Sequence, residues 1–483
     1  MMKSLIKKYR EIPLTVKCAL CFTCVNFLQR GITVIITPIM TRLMSTAEYS
    51  MYSVYTAWAD ILVIFATLYL FRDAIDSAIL QCETDYERER VVSSFQGLSF
   101  TIAVGFFIVY FLFSRQIDRI IGLPHYIVVL MFLSFVFYAP LNLWTVLKRY
   151  KLEYKEPVAV TAFTSLFVPI VSLIVITNTS YKGEARIIVY ALTTIGVGIG
   201  IFITNLKKTK VFFDRKLWKF AFTFNIVLIP HFLSEIVLNH SDRIMINNLV
   251  GASETAIYAI AYSVSQLVLL FTQAINMAFV PWQYQKIKAG ERKSLAEISN
   301  IVLILVSAIL IVMICFAPEA ICILAGSQYM DAVDLIPVIS LGIYFSFLYQ
   351  FFTRVEVYYQ KKENMAIASI LAAILNLGLN FVCIKLFGYK AAGYTTLVCY
   401  VFLCVLHFLF YRKICKETID GKNYFDLKAI VAISIVMTCI SFVMMLIYTN
   451  TVLRYAVILT IIAILAMNYK KILSVFLKMK GEK

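Results

Sequence analysis

Apolar runs long enough to cross a bilayer recur from one end of this chain to the other, each closed by charged or turn-forming residues. A spanning helix needs about 20 predominantly apolar residues, since in hydrocarbon every backbone N–H and C=O must be paired within its own segment. Read by that rule, the sequence holds fourteen candidate helices, at 14–37, 49–70, 91–113, 124–147, 157–177, 185–204, 217–238, 254–280, 295–317, 333–353, 365–385, 390–411, 427–448 and 452–470. The fold class that follows is an all-α integral membrane protein. Only 15% of the residues are charged, against about 25% in an average soluble domain.

A net charge of +17 would suggest a nucleic-acid partner in a soluble chain. In a membrane protein, lysine and arginine instead collect in cytoplasmic loops and set topology. Of the 45 basic residues, 35 fall at the termini and in loops after even-numbered spans, and nine in the opposite loops. Both termini are therefore expected in the cytoplasm, with no nucleic-acid partner. The basic start MMKSLIKKYREIP precedes an apolar stretch of about 23 residues that contains Arg30. That stretch is too long and too polar for a signal-peptide core, so it counts as the first span. No outer loop exceeds about 16 residues, which leaves no room there for a folded domain.

Enzyme signatures are missing: the sequence has no GxxxxGK, HExxH or GxSxG pattern, so neither a nucleotide nor a catalytic metal is expected. Eleven cysteines lie mostly in apolar segments, with Cys18, Cys21 and Cys24 along one helix. Without histidine or acidic neighbours they read as packing residues.

An internal repeat is visible at an offset of 206 residues. It pairs RLMSTAEYSMYSVY (Arg42 to Tyr55) with NLVGASETAIYAIA (Asn248 to Ala261), and basic loop 146–157 with 351–363. Two copies of six helices share one orientation, which implies an axis along the membrane normal and a substrate site between the copies. The expected division is 1–210, 211–412 and a C-terminal helix pair with its tail, 413–483. The GVGIG of Gly196 to Gly200 contains a GxxxG pair, read as a close helix contact.

Helical spacing places Asn26, Gln29, Arg30, Thr33 and Thr37 on one face of the first span, and His231, Glu235, Asn239 and Asp242 on one face of the seventh. Arginine inside a bilayer costs from about 2.5 to more than 10 kcal/mol, so it normally marks a wet cavity or a substrate path. Snorkelling to the outer surface is the plainer explanation of Arg30, but Asn26 and Gln29 continue the stripe deeper and favour a hydrated cavity. Glu235, Asp60 in the second span and Asp242 are candidates for binding a proton or sodium ion, or for structural pairing. Gln266, Gln273 and Asn276 add polar positions to the eighth span. Arg72 and Arg243 each sit beside an aspartate at a span end, where a local ion pair is the simpler reading. Arg354 ends the tenth span, as a cavity residue or a cytoplasmic anchor.

The segment HSDRIMINNLVGASETAIYAIAYSVSQLVLLFTQAINMAFVPWQY (His240 to Tyr284), with fourteen spans and a tandem repeat, resembles the Wzx-type polysaccharide flippases of the multidrug, oligosaccharidyl-lipid and polysaccharide exporter superfamily. The resemblance implies a flippase in the bacterial cytoplasmic membrane, moving an undecaprenyl-diphosphate-linked oligosaccharide by alternating access for O-antigen, capsule or exopolysaccharide synthesis. It implies a cationic cavity, here Arg30 with Arg42, Arg72, Arg243 and Arg354, because guanidinium binds phosphates bidentately. It also implies no cofactor beyond a coupling proton or sodium ion, with membrane lipids, a polysaccharide polymerase and a co-polymerase as partners. A drug or cation exporter of the same superfamily would share the layout; a membrane-embedded polymerase or ligase would need a larger outer loop. The spans after residue 412 are featureless in sequence, and in some relatives such a pair forms a lipid-facing groove.

Overall fold

The computed structural model of the protein describes residues 14–470 and 473–475, and among these no strand occurs. The first half runs α1 (Leu14–Leu43), α2 (Thr46–Thr67), α3 (Asp73–Leu80), α4 (Asp85–Leu112), α5 (Ser114–Ile121), α6 (His125–Val136), α7 (Tyr138–Tyr150), α8 (Lys155–Asn178), α9 (Lys182–Thr209) and α10 (Arg215–Leu249). The second runs α11 (Ala252–Ser265), α12 (Val268–Ala289), α13 (Arg292–Cys315), α14 (Ala317–Leu324), a 3₁₀ segment (Ser327–Leu335), α15 (Ile336–Tyr358), α16 (Lys362–Phe387), α17 (Ala391–Thr418), α18 (Leu427–Leu446) and α19 (Thr451–Met467).

Eleven helical segments among the described residues, from Asp85–Leu112 to Leu427–Leu446, are long and apolar enough to cross a membrane. They coincide with the third to thirteenth expected spans. The first two correspond to α1 and α2, made less apolar by residues such as Gln29 and Asp60, and the last to α19, a shorter apolar helix. The protein is a multi-pass membrane protein of about fourteen spans.

Helix starts follow local chemistry. Ser45 and Glu48 form a reciprocal cap before α2, and Thr84 and Glu87 do the same before α4, each pair satisfying otherwise orphaned N–H groups. Asp426 and Asn450 cap α18 and α19.

The chain clusters into two compact units that divide inside α10, between Ile236 and Val237. In the first unit α9 packs against α2, α4, α6, α7 and α8. Its core gathers Tyr55, Tyr110, Met131 and Phe135 in one cluster, and Ile64, Phe95, Leu143 and Phe232 in another. In the second unit α15 is the central helix, buried along most of its length and packed on α17, α13 and α18. Helix α8 leaves Phe163, Phe167, Ile170 and Ile174 exposed, an apolar surface suited to lipid because its backbone is already paired.

The glycine reading needs one correction. A Cβ on Gly196 or Gly200 would meet nothing within 4 Å, whereas one on Gly198 would lie 2.1 Å from the Phe137 carbonyl oxygen. The close approach falls on the middle glycine, because helix rotation turns Gly198 toward the break between α6 and α7.

The last two helices are not featureless either. Arg454 of α19 is buried, pairing with Glu319 at 2.6 Å and donating to the Cys315 carbonyl at 2.9 Å. Helix α18 joins α15 and α17 around an apolar groove of about 390 Å³, lined by Phe345, Phe352, Phe408, Val431 and Ile435 among others.

Candidate functional site

The second span ends close to its expected limit: α2 stops at Thr67. Leu68 and Tyr69 take left-handed backbone angles, φ 48° and 53°, which bulky residues rarely adopt. The chain turns there and resumes as the short helix α3, so Arg72 lies in the turn between the end of α2 and the start of α3. Its guanidinium stands 5.3 Å from the Tyr69 ring centroid and 5.2 Å from that of Phe232 on α10. The ion pair is not with the neighbouring Asp73 or Asp76 but with Glu235, at 3.6 Å. Both side chains are about half exposed, 45% and 54%, so the attraction is screened and exchangeable. Stacking on two rings holds the arginine in place while its N–H edge stays available.

In the second unit Asp242 is buried and ringed by neutral groups. Tyr258 donates to Oδ2, Thr396 donates to it at 2.8 Å, and the Asn380 amide donates to Oδ1 at 2.5 Å. Behind them Asn376 accepts from Ser241 at 2.9 Å and donates to Thr396 at 3.2 Å, and Thr395 donates to Asn380. No lysine, arginine or histidine ion-pairs with Asp242 among the described residues. A buried carboxylate is costly unless hydrogen-bonded, and these donors, with the neighbouring Arg243 guanidinium acting electrostatically, offset part of that cost. Asn376 and Asn380, four apart on α16, were readable as a helical pair but lie 134 and 138 residues from Asp242 in the chain.

Arg354 is not at the surface, and no acid pairs with it among the described residues. It is buried on α15 and donates to Asn276 at 2.8 Å, Gln283 at 3.0 Å and Gln350 at 3.3 Å, beside the rings of Phe279 and Phe351. The arginine thus joins the predicted Asn276 to two glutamines that sequence reasoning passed over. Arg243 leans on the Tyr262 ring at 5.4 Å.

Of the other expected residues, Gln29 lines a cavity in the first unit, Asp60 and Gln266 are half-buried, and Asn26, Arg42 and Gln273 are exposed. The Arg30 side chain, like that of Thr33, lies outside the described residues. Sequence reasoning missed Tyr69, Phe232, Asn376, Asn380 and Thr396, whose roles exist only once distant helices meet.

A family model described as "Polysaccharide biosynthesis protein" matches residues 16–287, more than half of the 483-residue chain. The chain belongs to that family. A MatE model also matches, at residues 228–382, and together the two place the chain among transporters of the multidrug, oligosaccharidyl-lipid and polysaccharide exporter superfamily. An uncharacterized membrane protein of Methanocaldococcus jannaschii is 22% identical over 228 residues, 45% of this chain and 44% of that protein. The chain spans about half the length of the curated relatives it matches. Among solved structures, lipid II flippase MurJ in an inward closed conformation superposes with a TM-score of 0.65 at 14% identity, over 94% of this chain and 99% of that one. An inward-facing multidrug resistance MATE transporter gives 0.60 at 12% identity, over 82% and 96%. At such identities the likeness establishes a shared fold.

Proposed function

We propose that this protein flips an undecaprenyl-diphosphate-linked oligosaccharide across a bacterial cytoplasmic membrane, by alternating access coupled to an ion. The observation that carries this reading is Arg72: a half-exposed guanidinium in the turn between α2 and α3, stacked on Tyr69 and Phe232, with one carboxylate at 3.6 Å. A diphosphate offers shorter, bidentate, charge-assisted bonds and would displace that screened contact. The family assignment and the MurJ-like fold support a lipid-linked glycan as cargo, and the apolar groove between α15, α17 and α18 suits a prenyl chain.

Coupling is assigned to Asp242. Sodium, a hard cation, prefers oxygen ligands of the kind that Asp242, Asn376, Asn380 and Thr396 supply; a proton would need the carboxylate alone. Glu235, already engaged with Arg72, suits release of the head group better than ion coupling.

The test is flipping of an undecaprenyl-diphosphate oligosaccharide in proteoliposomes by wild type, Arg72→Ala and Arg72→Lys at matched protein amounts. The proposal expects loss in the alanine variant and partial activity in the lysine variant, which keeps charge without planar stacking. Wild-type export of a cationic drug, with no flipping of any glycan lipid tried, would replace this reading with a drug exporter.

A further inference from the structure

The first unit encloses a cavity of about 420 Å³ between α1, α2, α7, α8 and α9, within the range that holds small organic ligands. One charged residue lines it among those described: Arg186, near the start of α9; no acidic side chain does. The Arg186 guanidinium lies 3.7 Å from the Tyr52 ring centroid, and its Nη1 is buried with no hydrogen-bond acceptor among the described residues. Leaving a buried N–H without an acceptor is costly, more so when it is charged, so this edge is suited to an acceptor that none of the described residues supplies.

The remaining polar lining is neutral. Thr193 and Thr194, two turns along α9 from Arg186, spend their hydroxyl hydrogens on the Val189 and Tyr190 carbonyls at 2.7 and 3.0 Å, and Thr164 does likewise with Val160 at 3.0 Å. Their oxygens remain acceptors for incoming hydroxyl groups. Ser172 Oγ is buried without a partner, while Gln29 and Asn142 contribute amides and Phe137, Tyr138 and Pro169 apolar walls.

One guanidinium among hydroxyls, amides and flat apolar walls fits a sugar ring bearing a single carboxylate. A cationic drug would face the arginine, and a diphosphate would bring more charge than one arginine neutralises. We propose that this cavity is a binding site for an acidic sugar, with Arg186 as the carboxylate partner and Tyr52 fixing its plane. As a cargo determinant the site rests on the flippase reading; as a binding site it does not.

The test is equilibrium binding to purified full-length protein in detergent, which requires no translocation. The probes are a glucuronate-containing disaccharide, its neutral glucose counterpart and inorganic phosphate. Saturable binding of the acidic disaccharide, at least tenfold tighter than the neutral one, weakened at least tenfold by Arg186→Ala and partly restored by Arg186→Lys, is the expected result. Thr194→Val, which keeps the charge, should weaken both sugars alike; each variant is first shown to melt and elute like wild type. Equal binding of acidic and neutral sugars, indifference to Arg186→Ala in a folded variant, or full competition by inorganic phosphate would overturn the proposal. Binding as expected without flipping of acidic or neutral glycan lipids would sink the flippase reading and leave the site standing.

Discussion

The Arg72 guanidinium lies 3.6 Å from the Glu235 carboxylate, although the two are 163 positions apart and only Glu235 sits on an unbroken helix. The turn at Leu68 and Tyr69 brings the arginine toward α10, where Phe232 supplies the second ring. A local pair with Asp73 would have needed no such turn.

Because Glu235 competes with any anion for Arg72, Glu235→Gln is expected to bind undecaprenyl diphosphate several-fold more tightly and to release it more slowly. Binding by fluorescence quenching, together with turnover in proteoliposomes, reads both effects. Unchanged affinity would make the pair purely structural.

Asp242 should confer ion-dependent stability. A cation that binds only the folded state raises the melting temperature with its concentration, so wild-type protein in detergent is expected to gain stability as sodium replaces choline. Asp242→Asn, which preserves volume and can still accept hydrogen bonds, should abolish that gain while remaining folded. If neither protein responds to sodium, the site takes a proton, and transport should then follow the pH gradient in wild type only.

Gly198→Ala is expected to lower stability by about 1–3 kcal/mol, the usual cost of overpacking, because the new methyl group would lie 2.1 Å from the Phe137 carbonyl oxygen. Gly196→Ala and Gly200→Ala should be neutral or slightly stabilising, since both face open space on the same helix. Thermal melting of the three variants separates the middle glycine from the outer pair.

Asp214 at the head of α10 accepts from the Leu217 and Lys216 amides at 3.1 and 3.0 Å and from Arg90 of α4 at 2.6 Å. The Leu217 N–H first, then Arg90 and the Lys216 N–H, hold its carboxyl below the usual aspartate range. A depressed acid stabilises the fold above its unfolded value, near 4, and loses that contribution as pH falls through the folded value. Asp214→Ala should cost about 1 kcal/mol at neutral pH, as lost caps do, and should flatten the decline in melting temperature below about pH 4.

Much of the fold was legible because hydrocarbon permits so few solutions. Apolar length and charged breaks determined the number of spans, and their correspondence with Asp85–Leu112 through Leu427–Leu446 is close. Helical spacing likewise marked Glu235 and Asp242, and position within or at the end of a span marked Asn276 and Arg354 as worth explaining. What the one-dimensional pattern did not carry was partnership. It put Arg72 beside Asp73 where the fold offers Glu235, and Arg354 at a cytoplasmic end where Asn276 and Gln283 receive it. It counted Arg186 as one outer charge among nine, with no hint of the cavity beneath it. The physical reason is that period and hydropathy are properties of single helices, while a buried charge is settled by whichever side chains neighbouring helices bring within about 3 Å. Sequence alone determined the membrane, the number of spans and the polar faces; only tertiary packing decided which polar groups meet, and which are stacked or ringed.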